Sequence, residues 1–374
     1  MNAPRELLKK LGYELKPFGA NIEESYSAGE GAVIYDKLNP ELTAKLCGRI
    51  AGLVDNPAGD VLVTASPYTK SVLNKYAPQL KLLLLDEVAV RGDQIMALVT
   101  FNEILPQGRK AGRAVGAFNI ANFETAKAVM IAAEAEQQPV IMQVYHRLMS
   151  DPYISALGAM MRNMAEKASV PVAVHLDHGY TFEQVKLAIY CGFSSVMFDG
   201  SQLPFAENLE QTRRAVEYAH RHGVTIEGEI CHVPLNGSEA AINIPLSTPE
   251  DAAGFVAATG VDALAVLIGT ARGYYREEPK IAVDLAQQIS AVVAIPLVLH
   301  GGSGTPHEKV KAVIKSGFAK VNVATEFQHT FQLRLQTELQ QLDGKFLPLD
   351  KLMLPATDAA ATHLRQLIRM FTKP

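Results

Sequence analysis

Cysteine is scarce in this 374-residue chain. The three that occur, Cys47, Cys191 and Cys231, are scattered, odd in number and show no CxxC spacing. A disulfide framework is therefore excluded, and a reducing compartment is the better fit. No apolar run approaches the ~18 residues that a membrane span needs. The opening stretch MNAPRELLKKLGYELKPFG lacks the apolar centre of a secretion signal. A cytoplasmic protein that does not bind membranes is expected. Basic blocks are absent too: 35 Lys and Arg face 39 Asp and Glu, a formal net charge of −4. Nucleic acid is not an expected partner.

What is present is a regular alternation. The chain is 48% hydrophobic and 20% charged, an ordinary globular composition. From about Ala114 onward, β-branched apolar runs are each followed by an amphipathic helical stretch. The runs are AVGAFNI (114–120), PVIMQVY (139–145), VPVAVHLDH (170–178), SSVMFDG (194–200), VTIEGEI (224–230), ALAVLIG (263–269), IPLVLHG (295–301) and AKVNVAT (319–325). Near-continuous apolar strands imply burial on both faces, hence a parallel sheet. Eight such units predict an α/β fold of the closed (β/α)8 TIM-barrel kind, in residues 96–374. An open doubly wound sheet is disfavoured because no Gly-rich dinucleotide turn follows the first strand. An amphipathic helix over 326–342 and a second, short helix near AAATHLRQLIRMF are expected after the eighth strand. Residues 1–95 read as a small α/β appendage, with strands in GAVIYDK, DVLVTAS and LKLLLLDEV and helices between them. No motif there carries recognisable chemistry, so docking or oligomerisation is its expected use.

In a barrel of this kind the C-terminal strand ends form the active-site face. Those ends are unusually polar: Asn119, then Tyr145 and His146, then Asp177 and His178, Asp199, Glu227 and Glu229, His300, and finally Asn322 and Thr325. Strand alternation would send Asp177 and His178 in different directions, one inward and one toward the rim. His178 and His300 are candidate metal ligands. Asp177 beside them is a candidate acid/base. The turns HGGSGTP (300–306) and NVATE (322–326) follow the seventh and eighth strands, where barrels bind phosphate at a helix N-terminus. A Schiff-base lysine is not expected, because Lys320 begins a strand instead of ending one.

Five blocks then show a resemblance: AVGAFNIANFETAKA, VAVHLDHG, VMFDGSQLPFAEN, LVLHGGSGTP and KVNVATE. From about Phe101 to the C-terminus the chain resembles the class II fructose-bisphosphate and tagatose-bisphosphate aldolases. The resemblance implies a zinc-assisted aldol cleavage or condensation with dihydroxyacetone phosphate as the donor. It implies Asp177 as the acid/base for the C4 hydroxyl, and His178 and His300 as zinc ligands. Gly273, Gly301, Gly302, Ser303, Asn322, Val323, Ala324 and Thr325 would hold the phosphate, with Asn119 and Asp199 at the substrate hydroxyls and metal region. The chain departs from the family where IGTAHG becomes IGTARG: Arg272 stands in place of the third zinc histidine. Guanidinium has no lone pair for a metal. Glu229 is the expected replacement ligand, with His146 or His232 as alternatives, and zinc is expected to be held weakly. Gln202, Tyr145 and His146, and the segment CHVPLNGSEAAINIP also differ from the family pattern. Two further readings stay open: a metal-free barrel enzyme with Arg272 as the electrophile, and a non-catalytic sugar-phosphate-binding subunit. A homo-oligomer is expected in each case.

Overall fold

The structure is a computed structural model that describes residues 61–64, 75, 81–84, 97–233, 245–271, 273 and 279–373. The chain divides into two compact units, Met1–Ile95 and Met96–Pro374. In the first, strands β1 (Val61–Thr64) and β2 (Lys81–Leu84) pair in parallel. The strand expected in GAVIYDK and the two helices, apart from Lys75, lie outside the described residues.

The second unit is a closed barrel of eight parallel strands. They are β3 (Val115–Asn119), β4 (Val140–Tyr145), β5 (Val172–Gly179), β6 (Ser195–Phe198), β7 (Thr225–Glu229), β8 (Ala263–Ala265), β9 (Leu297–Leu299) and β10 (Phe318–Val323). Adjacent strands pair in chain order, and β10 closes on β3. The expected (β/α)8 barrel is therefore the fold. The sixth and seventh strands are shorter than their apolar runs suggested, three residues each. Among the described residues, no helix is long and apolar enough to cross a membrane.

Alternation explains the double burial. On β4, Val140, Met142 and Val144 belong to the core beneath the outer helices, whereas Ile141 belongs to a separate cluster inside the barrel. On β5, Val172, Val174 and Leu176 face outward and Ala173 inward. The same parity carries His175 and Asp177 inward.

Helix α1 (Phe101–Lys110) precedes the barrel and closes its N-terminal end. Its Phe101, Ile104 and Leu105 join the inner cluster, where Ala117, Ala173, Ala263, Ala265 and Ala319 leave room for the bulky ring. Arg109 fastens the helix by donating to the carbonyls of Ser290, Val293 and Ile295. The barrel interior is thus apolar below and polar above.

The outer helices are α2 (Phe123–Glu136), α3 (Ile154–Glu166), α4 (Phe182–Tyr190), α5 (Phe205–Arg221), α6 (Pro249–Thr259), α7 (Val283–Val292) and α8 (His307–Lys315). Short polar residues start several of them. Asn122, Thr181 and Thr248 each accept from the backbone N–H three residues on, satisfying a donor the helix cannot. Two helices follow the barrel, α9 (Thr325–Leu342) and α10 (Leu349–Thr372). The second is not short: it runs 24 residues, straight through Pro355. An internal proline normally breaks a helix at a cost of about 3 kcal/mol. Here a continuous buried face, from Leu352 through Ala356, Ala360 and Leu364 to Phe371, outweighs it. Arg365 and Arg369 add ion pairs to Glu136 at 2.8 and 2.6 Å.

Because the barrel owns its core, a chain beginning at Gly92 is expected to remain soluble and to melt in one cooperative transition. Calorimetry of that chain checks this; aggregation would show that residues 1–95 cover barrel surface.

Candidate active site

The polar layer at the top of the barrel begins with a backbone irregularity. His178 has φ +58, a left-handed conformation that a residue with a Cβ seldom adopts. The β5–β6 register shifts between Leu176 and Gly179 at the same place. Such a bulge re-aims side chains. It breaks the alternation expected for Asp177 and His178, and both reach the same cavity, with His178 Nε2 3.7 Å from Asp177 Oδ1.

Four strand ends then converge. His178 Nδ1 and Asp199 Oδ2 are 2.7 Å apart. His300 Nε2 lies 2.7 Å from Glu227 Oε1. Glu229 Oε2 lies 3.5 Å from His300 Nδ1 and 3.7 Å from His178 Nδ1. The two imidazoles meet edge to face with ring centroids 4.6 Å apart. Below them Lys320 Nζ donates to Glu227 Oε2 at 2.8 Å, and His175 Nδ1 meets Ser195 Oγ at 2.9 Å.

Asp177 is held by two amides. Asn119 Nδ2 donates to its Oδ2 at 2.6 Å, and Asn322 Nδ2 to its Oδ1 at 3.2 Å. Gln143 Nε2 donates to Asn119 Oδ1 at 2.8 Å, which fixes which end of Asn119 faces the carboxylate. Burial alone would raise the Asp177 carboxyl, but His178, His300, Lys320 and the Asn119 hydrogen bond outweigh it and hold it below its ordinary value. Burial opposes a charge on His178, yet Asp177, the Asp199 hydrogen bond and Glu229 push it up to about 9. His300 goes the other way, lowered chiefly by burial. His175 is lowered to about 3 by burial and by Lys320.

These groups also suit a cation. Two sets of donor atoms lie within 4.8 Å of one another: Asp177, His178 and His300, and His178, Asp199 and Glu229. All are buried. His300 Nδ1 has no hydrogen-bond partner. Among the described residues, the buried layer holds four carboxylates, Asp177, Asp199, Glu227 and Glu229, and one lysine. Excess buried negative charge beside an imidazole lone pair fits a divalent metal with nitrogen and oxygen ligands.

The cleft above this layer has a volume of about 480 Å³. Asn119, Asp177, His178, His300 and Asn322 line its floor, and Gly273, Gly301, Ser303, Ala324 and Thr325 one wall. Thr325 is the first residue of α9, whose positive N-terminal end favours an anion. Gly301 has φ +74, and a Cβ there would meet Ala271 O at 2.4 Å, so the β9 turn requires glycine. Ser303 Oγ accepts from Ala324 N at 3.2 Å and joins the two turns.

Four of the expected site residues do not line the cleft. Gly302 N–H is engaged with Asn322 O at 3.0 Å, and the Val323 side chain points into the outer core. Asp199 and Glu229 sit behind the imidazoles. Arg272 lies outside the described residues. His146 and His232, the alternative ligands, belong to neither donor set; His232 Nδ1 lies 3.3 Å from Ser201 Oγ.

The cleft also uses residues the sequence reading passed over. Arg147 lines it, with its guanidinium 5.2 Å from the Tyr145 ring centre, and so do Gln328, His329 and Gln332 of α9. The spacing of Gln328 and Gln332, one helical turn, was a usable signal. So were Gln143, His175 and Lys320, polar residues at the inward parity of apolar strands.

Comparisons with known proteins show the family of this barrel. The family described as fructose-bisphosphate aldolase class-II matches residues 99–373. A fructose-bisphosphate aldolase of Geobacillus stearothermophilus is 39% identical over 272 residues, covering 71% of this chain and 93% of that protein. A 6-phospho-5-dehydro-2-deoxy-D-gluconate aldolase of Shouchella clausii is 38% identical over 258 residues, covering 68% and 87%. Among solved structures, the YdjI aldolase of Escherichia coli K12 superposes with a TM-score of 0.64 at 30% identity, covering 73% of this chain and 97% of that one. With the matched family spanning the whole barrel, the chain belongs to the class II fructose-bisphosphate aldolases and is a carbon–carbon lyase.

Proposed function

We propose that the chain reversibly cleaves a phosphorylated ketose into dihydroxyacetone phosphate and an aldehyde, with Asp177 moving the proton of the C4 hydroxyl. The observation that carries this reading is the amide-held Asp177 carboxyl, set beside two imidazoles in a cleft walled by the α9 N-terminus. Two aldolases of similar sequence are named for phosphorylated substrates, which supports the same class here.

In the cleavage direction Asp177 takes the C4 hydroxyl proton, the C3–C4 bond breaks, and the aldehyde leaves. The bonding electrons pass to the donor half, which then takes up a proton at C3. Asn119 and Asn322 keep the carboxylate aimed throughout, and Gly273, Gly301, Ser303, Ala324 and Thr325 seat the phosphate. His178 and His300, with Glu229, would hold zinc. When bound, it supplies Lewis-acid stabilisation of the charge that develops on the donor oxygen. Asp199 and Glu227 orient the two imidazoles. The enzyme is assigned to the cytoplasm as a homo-oligomer, which the half-exposed or more exposed Leu333, Leu339, Phe346 and Leu349 support. Residues 1–95 serve as a docking or oligomerisation module.

Asp177→Asn is expected to lower turnover about 10²–10⁴-fold, since the amide keeps the size but cannot exchange the proton. Steady-state release of triose phosphate from a panel of ketose phosphates measures it; near-normal turnover would remove Asp177 from the mechanism.

Arg272 withdraws one ligand and adds a fixed positive charge, so zinc is expected to be sub-stoichiometric after dialysis against EDTA. Arg272→His is expected to raise occupancy by completing a three-imidazole set. Elemental analysis of both proteins decides this. Full, tight zinc in the unaltered protein would show that another side chain replaces the histidine. No zinc in either, with cleavage intact and lost in Arg272→Ala, would make arginine the electrophile.

A further inference from the structure

Among the described residues, the mechanism leaves one fully buried lysine without a task. Lys320, the third residue of β10, lies inside the barrel below the cleft and does not line it. A lysine in such a place costs desolvation and must be balanced. Its Nζ donates to Glu227 Oε2 at 2.8 Å and stands 5.6 Å from the centre of the Phe101 ring. The other oxygen of the same carboxylate, Oε1, is 2.7 Å from His300 Nε2. Glu227 therefore bridges a lysine on β10 and a histidine at the end of β9.

That bridge decides where the His300 proton sits. A carboxylate locked by an ammonium group can only accept, so the nitrogen facing it must donate. His300 Nε2 then carries the proton and Nδ1 keeps its lone pair. Nδ1 is the atom with no hydrogen-bond partner, and His300 belongs to a donor set with His178 and Asp177. His178 is arranged in parallel: Asp199 takes Nδ1, which leaves Nε2 toward Asp177. The difference is that Asp199 is held by Ser201, with Oγ at 2.6 Å and N at 3.1 Å, whereas Glu227 relies on Lys320. His175 does not replace the lysine. Its Nδ1 is committed to Ser195 and its Nε2 stays 3.6 Å from Glu227.

We propose that Lys320 is a positioning residue: by anchoring Glu227 as an acceptor it fixes His300 in the Nε2–H tautomer and presents Nδ1 to the cleft as a metal ligand. The proposal rests on the metal-assisted reading above for its use, but not for its test. Groups that orient a metal-binding histidine typically contribute about 10–100-fold to metal affinity, and Lys320 acts on His300 through one of them.

The test uses the full-length protein in which histidine is labelled with ¹⁵N. Imidazole ¹⁵N shifts, with His300→Ala supplying the assignment, report the tautomer without metal. A chelator competition gives zinc affinity. The unaltered protein is expected to show His300 protonated at Nε2 alone. Lys320→Met is expected to mix the two tautomers and weaken zinc binding about 10–100-fold, and Lys320→Arg to restore both. If Lys320→Met does not fold, Lys320→Met combined with Glu227→Gln removes the uncompensated charge. Mixed tautomers are expected again, because the amide can turn oxygen or nitrogen toward His300. An Nδ1–H tautomer in the unaltered protein, or an unchanged Nε2–H tautomer in the folded variant, would overturn the proposal, whatever happens to zinc affinity or turnover. Absence of cleavage activity in a protein with the expected tautomers would instead count against the aldolase reading.

Discussion

Four carboxylates lie buried at the top of a barrel that excludes water, and the rest of the site answers to that burial. Each costs several kcal/mol in isolation. Asp177 is relieved by two amides and two imidazoles, Asp199 by His178 and Ser201, and Glu227 by Lys320 and His300. Glu229 takes the Val233 amide at 2.9 Å and approaches both imidazoles. Several of these partners come from other strands: Asn119 from β3, Lys320 and Asn322 from β10, and His178 of β5 for Asp199. The closed sheet is what holds them in register, because no strand can shift without breaking a ladder on each side. The negative charge that remains makes the layer a fit for a cation.

The two imidazoles are not equivalent in this field. His178 is surrounded by Asp177, Asp199 and Glu229, which raise its proton affinity against burial, while burial prevails at His300. A cation at the site would take over the balancing of the carboxylates, and the imidazoles would serve as neutral ligands. The same carboxylates that stabilise an imidazolium in one state orient a neutral ring in the other. The apolar plug beneath, with Phe101 among alanines, keeps solvent from reaching Glu227 and Lys320 from below.

The cleft is asymmetric around the barrel. One wall, built from the β9 and β10 turns and the start of α9, has the small residues and helix N-terminus that suit a phosphate. The other carries Tyr145 and Arg147, with the Arg147 guanidinium 5.2 Å from the Tyr145 ring centre. The chemistry lies between these walls, so changes in the second wall alter what is admitted without touching Asp177.

Much of this was legible in the chain. Eight apolar runs separated by amphipathic helices determined a parallel barrel, since only burial on both faces accommodates such strands. Polar residues collect at the strand ends, and HLDHG, HGGSG and NVAT pointed to Asp177, His178, His300 and to turns that the structure brings to one cleft. Several features depended on three-dimensional context. Alternation predicted divergent directions for Asp177 and His178, but a bulge and a positive φ at His178 turned both into one cavity, a local strain that only the surrounding packing can maintain. The last helix read as short, near AAATHLRQLIRMF, but a long buried face extends it back through Pro355 to Leu349. Lys320 looked like an unremarkable strand start. Its position opposite Glu227, across the barrel and 93 residues apart in sequence, exists only once the sheet closes. A sequence specifies which side chains face inward through a period of two residues; which of them meet is decided by closure, because closure alone brings distant strands to one axis.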